Sequence, residues 1–212
     1  MTRPKSQLSP REAKRARTRA RLTEAALRLM AERGINGTSV SEIAAEAELA
    51  NGTFYLYFKD KTEIVAAVCQ AVTLAMHNEM SSVRLSLDKG SARVAFGTQQ
   101  FIEIASAEPN WGRLLMWAFS EHPAIKDDVS RYMRLDVALG VEQGCFTESA
   151  DEFTIDALLA ILRTGIEARL DGAGPEAGAR AAEYHLRILG MSAAEAHEAR
   201  IATDKIAERR AK

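Results

Sequence analysis

The sequence predicts an all-α protein in which a small three-helix head is joined by one long helix to a larger helical body. Three observations carry this. Leu and Ala are plentiful, while the alternating Val/Ile/Thr runs of half-buried strands are scarce. Apolar residues recur at three- and four-residue spacing through most of the chain. The breaks between these stretches are short and rich in Gly, Pro and Asp, which stop helices. At 212 residues the chain can form one large domain or two small ones, each with a real core.

Residues 1–10 hold two prolines, polar side chains and positive charge, and read as a flexible basic tail. The first helix starts between Ser9-Pro10 and Arg17. Leu22, Ala25, Ala26, Leu29 and Met30 form its inner stripe, and Gly34 stops it. Ser39 followed by Glu42 is the S-x-x-E pattern of a capping box and opens a second helix that ends near Ala47. A corner at Glu48-Leu49 leads to a third helix over 50–58. The fourth begins near Lys59 or Asp60 and runs to Leu85, with Ile64, Val65, Val68, Val72, Met76 and Met80 turned inward. No Pro or Gly interrupts it.

The body is punctuated in the same way. Asp88-Lys89-Gly90 ends the fourth helix, and 91–107 is the fifth. Pro109 starts a short aromatic helix to Ser120, and another runs from His122-Pro123 to about Gln143-Gly144. Residues 151–170 form a strongly apolar helix, and 175–189 another. Ser192 with Glu195 is a second capping box that opens a polar last helix. The expectation is about ten helices, with a head at 11–60 and a body at 61–212.

Net charge is −1 overall, but residues 1–61 carry 12 Lys/Arg against 7 Asp/Glu, which leaves +5 on the head and −6 on the rest. A basic head on an acidic body points to a polyanion partner for the head alone. Cys69 and Cys145 lack CxxC pairing and read as two buried thiols in a reducing cytosol. The start of the chain has no apolar signal region, and the longest apolar runs fall far short of the ~20 residues of a membrane span. A cytoplasmic protein with no membrane partner is expected. His77, His122, His185 and His197 are scattered, with His185 and His197 read as solvated or interface residues. No catalytic constellation, metal set or cofactor motif emerges, so the chain is not read as an enzyme.

The stretch 38–61 (TSVSEIAAEAELANGTFYLYFKDK) has the layout of a helix-turn-helix. One helix braces a second that projects into the DNA major groove, while phosphates fix its pose. Leu22, Ala26, Leu29, Val40, Ile43, Ala44, Leu49 and Phe54 would brace the pair. That leaves Asn51, Gly52, Thr53, Tyr55, Leu56 and Tyr57 on exposed faces. Gly52 lets the backbone come close to DNA, Asn51 can pair bidentately with adenine, and Thr53 can meet a base edge or a thymine methyl. Tyr55, Tyr57, Lys59 and Lys61 suit phosphates. Arg11, Lys14, Arg15, Arg17, Arg19 and Arg21 read either as a solvated helix face or as an arm that clamps phosphates or enters a minor groove.

Thr38-Ser39-Val40, Ile43-Ala44 and the run Gly52 to Lys61 (GTFYLYFKDK) resemble the DNA-binding domain of the TetR family of transcriptional regulators. The likeness is sharp over residues 17–66 and architectural beyond. It implies base contacts from Asn51, Gly52 and Thr53, and phosphate contacts from Thr38, Ser39, Tyr55, Tyr57 and Lys61. The corner departs from the usual Ala-Gly-Val-Ser, reading Ala47-Glu48-Leu49-Ala50. Glu48 in place of the turn glycine implies a left-handed residue costing ~1–2 kcal/mol. Ala50 in place of the capping serine forfeits ~1 kcal/mol. Asn51 stands where a basic residue is frequent.

In the body, Phe96, Phe101, Trp111, Met116, Trp117, Phe119, Tyr132, Met133 and Phe146 gather near polar Gln99, Gln100, Glu103, Asn110 and His122. This reads either as plain core or as an apolar cavity with a few polar groups, as small-molecule sites require. Phe96, Gln100, Trp117, His122 and Tyr132 are the candidate ligand contacts. The unbroken apolar run 157–162 is more than one monomer surface tolerates. The resemblance implies a two-fold, four-helix dimer interface here, with Phe153, Leu158, Leu162, Ile166, Tyr184 and Ile188 as candidates. The expected function is a dimeric repressor released from a palindromic DNA operator when a small, largely apolar effector binds. The alternative is an activator or protein-controlled DNA-binding regulator with no small-molecule effector.

Overall fold

The computed structural model describes residues 9–107, 109–121 and 123–210. These form ten helices and no strand: α1 (Pro10–Arg33), α2 (Val40–Glu46), α3 (Asn51–Phe54), α4 (Lys61–Leu85), α5 (Gly90–Ala107), α6 (Pro109–Glu121), α7 (Pro123–Glu142), α8 (Glu152–Leu170), α9 (Glu176–Ile188) and α10 (Ala193–Arg210). The chain divides into two compact units, Met1–Val68 and Cys69–Lys212, so the division falls within α4. The all-helical expectation and its order of elements match this architecture.

In the first unit, α1 starts at the earliest position the sequence allowed. The Ser9 side chain accepts the Glu12 N–H, while the Glu12 carboxylate accepts the Ser9 N–H at 2.8 Å. Pro10 fills the first turn, where its missing N–H costs nothing. The pattern Ser9-x-x-Glu12 was there to be read as a third capping box. All six basic residues from Arg11 to Arg21 therefore belong to α1. Positions 1–8 of the expected tail lie outside the described residues. Leu22, Ala25, Ala26, Leu29 and Met30 are buried, as are Ile43, Ala44, Phe54 and Phe58, and α2 packs against both α1 and α3. Each such large apolar side chain contributes about 1.5–3 kcal/mol by leaving water.

The third helix is shorter than expected. Regular α-winding covers Asn51–Phe54, and the chain then tightens: Leu56 N–H donates to Thr53 O (3.2 Å) and Tyr57 N–H to Phe54 O (2.9 Å). These three-residue closures swing the buried Phe58 back toward Phe54, with ring centres 5.6 Å apart. Asp60 then accepts the Glu63 N–H at 2.9 Å, and Glu63 accepts the Lys59 N–H at 2.6 Å, which caps the start of α4.

In the second unit, α5 is the hub and packs against α6, α7, α8, α9 and α10. One core gathers Met76, Met80, Phe96, Phe101, Leu115, Leu162 and Ile166, and another gathers Val94, Val137, Phe146, Ile155, Leu158 and Leu186. Gly90 opens α5 rather than merely ending the segment before it. A side chain there would collide with the Gly140 backbone in α7, so only glycine permits the crossing.

Two expectations change here. His185 is neither solvated nor at an interface: it is 0% exposed. It sits on the inner face of α9, where Nδ1 meets Thr98 Oγ1 and Nε2 meets the Leu158 carbonyl, both at 2.8 Å. The two partners satisfy both ring nitrogens, which lets a polar ring replace an apolar one in the core. Cys69 is buried as expected, but Cys145 is only half-buried. His197 is exposed and pairs with Glu183 at 2.8 Å.

Candidate DNA-reading helices and effector cavity

The corner between α2 and α3 carries the strain the sequence implied. Glu48 has φ 53, in the left-handed region. Arg21 holds it from α1, donating to the Ala47 carbonyl at 2.6 Å and to the Glu48 carboxylate at 3.3 Å. Ala50 gives α3 no side-chain cap.

Beyond the corner, Asn51 and Gly52 are exposed and Thr53 half-buried. Tyr55 is 57% and Leu56 71% exposed. Tyr57 and Lys61 are half-buried, while Lys59 and Arg17 are exposed. Ser39 is exposed, and its hydroxyl lies 2.6 Å from Glu42 Oε2 within the α2 capping box. Thr38 is different: it is buried, and its hydroxyl donates to the Gly34 carbonyl at 3.0 Å. Arg28 and Arg33 pair with Glu46 and Glu42 of α2. Arg19 lies over the Phe58 ring at 4.3 Å. Among the described residues, no carboxylate pairs with the exposed Arg11, Lys14, Arg15 or Arg17.

The second unit holds a cavity of about 60 Å³ walled by α4, α5, α7 and α8. Met80, Val94, Phe101, Val129, Met133 and Leu162 make its apolar wall; Thr73, His77, Arg84, Arg93, Thr98, Tyr132 and Asp136 bring polar groups to it. His77 and Tyr132 stack at 3.2 Å with an 11° interplanar angle. The Arg84 guanidinium lies 5.6 Å from the Tyr132 ring centre and forms a buried ion pair with Asp136. Burial pushes the Asp136 carboxyl above its ordinary range, opposed by the charge and hydrogen bond of Arg84 and by the charge of Arg93. Burial lowers the His77 pKa, and the Arg84 charge lowers it further. Thr73 Oγ1 and Arg84 Nε are buried without a hydrogen-bond partner, although native interiors rarely leave such groups unpaired.

Of the five candidate ligand contacts, Tyr132 lies on this wall. Phe96 packs into the core instead. Gln100 and Trp117 are half-buried on α5 and α6, outside the lining, and His122 lies outside the described residues. A second signal in the sequence lies on α4. Thr73, His77 and Arg84 fall on one face of α4 at positions i, i+4 and i+11, a polar stripe in an otherwise apolar inner surface.

The six dimer candidates separate into two groups. Leu158, Leu162 and Ile166 face inward and are consumed by the chain's own core, because α8 lies against both α5 and α9. Phe153, Tyr184 and Ile188 remain exposed, at 85%, 43% and 36%. Arg180 flanks Tyr184, and its hydrogen bond and charge lower the phenol pKa.

A braced helix pair with an uncovered second helix, attached to a helical unit with a cavity, defines a helix-turn-helix regulator. The pattern of bacterial regulatory proteins of the tetR family matches residues 22–68, and that of the tetracyclin repressor-like C-terminal domain matches residues 91–202. The chain belongs to the tetR family of transcriptional regulators. Among solved structures it is similar to RolR in complex with resorcinol, at 30% identity over 89% of this chain and 95% of that one, with TM-score 0.75. RolR without ligand matches at 28% identity over 85% and 95%, with TM-score 0.71. FadR from Bacillus subtilis in complex with stearoyl-CoA shares the fold at 16% identity over 81% and 97%, with TM-score 0.63. No helix among the described residues is long and apolar enough to cross a membrane.

Proposed function

We propose that this chain is a homodimeric repressor that leaves a palindromic operator when a small, largely apolar molecule fills the α4–α5–α7–α8 cavity. Residues 11–60 form the DNA-binding domain and 61–212 the effector-binding and dimerisation domain. Asn51, Gly52 and Thr53 read bases; Ser39, Tyr55, Tyr57, Lys59, Lys61 and Arg17 hold phosphates. Thr38 acts by fixing the start of α2 through its bond to Gly34. The observation that carries the reading is α4 itself, one unbroken helix from Lys61 to Leu85 whose second half supplies Thr73, His77, Met80 and Arg84 to the cavity wall. A ligand that prefers one setting of this helix shifts the population of DNA-competent dimers, and ~1–3 kcal/mol of preference weakens binding about 5–150-fold.

The exposed Tyr184 and Ile188, with half-buried Ile161, support dimerisation through α8 and α9. Pairing also doubles the contacts of a recognition unit too small for specific affinity alone. RolR was solved with resorcinol, which supports a one-ring effector; at about 60 Å³ the cavity is well below the ~150 Å³ that holds a benzene ring, so it widens when such a ligand enters. The test is selection of duplexes from a random pool by the full-length protein, followed by titration of the winner with and without resorcinol. The expected winner is a palindrome bound by a dimer and released by the ligand. Failure to enrich any sequence would overturn the DNA-binding assignment.

A further inference from the structure

The cavity is not electrically neutral. Its wall bears two cations, Arg84 and Arg93, against one anion, Asp136. All three lie at one end. Arg84 and Asp136 are bonded to each other. Arg93 donates to the Leu87 carbonyl at 2.7 Å and to the Leu85 carbonyl at 3.4 Å, just where α4 finishes, and its charge acts on Asp136. The positive surplus also reaches along α4, where the Arg84 charge helps to hold the His77 imidazole neutral.

Two further features narrow the occupant. The His77 and Tyr132 rings, stacked face to face, give the wall an aromatic element, and the surrounding Met80, Phe101, Val129, Met133 and Leu162 are apolar. Such an aromatic and apolar wall suits one further aromatic ring packed against the stack. The second feature is the pair of buried, unpartnered polar atoms on residues of the wall, Thr73 Oγ1 and Arg84 Nε. An unpaired guanidinium N–H asks for an acceptor oxygen, and a carboxylate meets a guanidinium with two charge-assisted bonds. A neutral phenol could fill the ring site but would leave the extra cation without a counter-charge.

We propose that the effector is a small, single-ring aromatic carboxylate, its ring against the His77–Tyr132 stack and its carboxylate at the Arg84–Asp136–Arg93 end. This rests on the cavity being the effector site. Arg84 and Arg93 then act as specificity residues that favour an aromatic acid over the equivalent phenol.

Calorimetric titration of the full-length protein with 3-hydroxybenzoate and with resorcinol compares a carboxylate with a hydroxyl on the same ring. The carboxylate is expected to bind about tenfold tighter, the effect of one unbalanced charge at roughly 10 Å in an effective dielectric near 20. Arg93→Gln removes the surplus while sparing the Arg84–Asp136 pair. It should abolish the preference and leave resorcinol within about twofold by the same Coulomb reasoning, while the lost bonds to the Leu87 and Leu85 carbonyls lower the melting temperature with either ligand alike. Equal or tighter binding of resorcinol, or equal weakening of both ligands by Arg93→Gln, overturns the proposal. Binding of neither compound overturns it too. The broader effector-controlled reading falls separately, if resorcinol or 3-hydroxybenzoate binds and yet leaves affinity for the selected duplex unchanged.

Discussion

Replacing His185 by Phe should make the protein less stable at neutral pH yet more tolerant of acid. The imidazole is fully buried, and burial pushes its pKa from 6.5 down to about 4, only partly opposed by the hydrogen bond with the Leu158 carbonyl. Nε2 faces that carbonyl and so carries the proton of the neutral ring, while Nδ1 meets the Thr98 hydroxyl. The unfolded chain takes up a second proton as pH falls below 6.5, and the folded chain does not until about 4. Stability from this group is therefore complete above pH 6.5 and drains away between there and pH 4. A shift of this size corresponds to about 3 kcal/mol. His185→Phe leaves the Leu158 carbonyl and Thr98 without a ring partner, at a cost of about 1–3 kcal/mol at pH 7, but it no longer titrates. Urea unfolding followed by circular dichroism at pH 7, 6, 5 and 4, at one protein concentration, measures both forms. Carboxylates that titrate in the same range are common to both, so the difference between the two curves isolates the histidine. Parallel curves across the whole range would refute the assignment of a buried neutral ring.

Asp136→Ala leaves the Arg84 guanidinium buried without its counter-ion and should cost about 3–5 kcal/mol, read as a lowered urea midpoint; a change under 1 kcal/mol would mean that the pair is open to water. Glu48→Gly removes a left-handed side chain and an exposed ion pair with Arg21 that contributes little, so the melting temperature should rise by the equivalent of about 1 kcal/mol; a fall would show that the pair matters more than the strain. Lys61→Ala should weaken all duplexes alike and reduce the salt slope by about 1, whereas Asn51→Ala should change which duplex is preferred. An unaltered salt slope for Lys61→Ala, or an unaltered preference for Asn51→Ala, would remove that residue from its role.

The ten helices were legible because their signals are local. Capping boxes at Ser39/Glu42 and Ser192/Glu195 close over three residues, and both form. The left-handed Glu48 was legible only through the family resemblance, which places a turn glycine at that position. What eluded reading depends on residues distant in sequence. His185 looked polar and hence exposed, but its two partners lie 87 and 27 positions away. Leu158, Leu162 and Ile166 looked like surplus apolar surface because their covering helix, α5, is about sixty residues upstream. The cavity went largely unseen because aromatic content marks bulk, while the wall is set by one polar stripe on α4 meeting Tyr132 and Asp136 of α7.

Because Ser9 starts α1 so early, Arg11, Lys14, Arg15 and Arg17 are not beads on a loose string. They are fixed to a rigid rod, at three- and four-residue spacings where like charges repel, with Glu12 the one acid before Glu24. The first turns of α1 thus hold more cations than their single acid balances, and a row of phosphates can supply the rest. Helix stability at this end should rise with added salt, as screening relieves the repulsion, and rise further on DNA, while affinity for DNA falls as salt increases. Ionic strength then acts on the two events in opposite senses, so the end of α1 is firmest in free protein under conditions in which DNA holds it least.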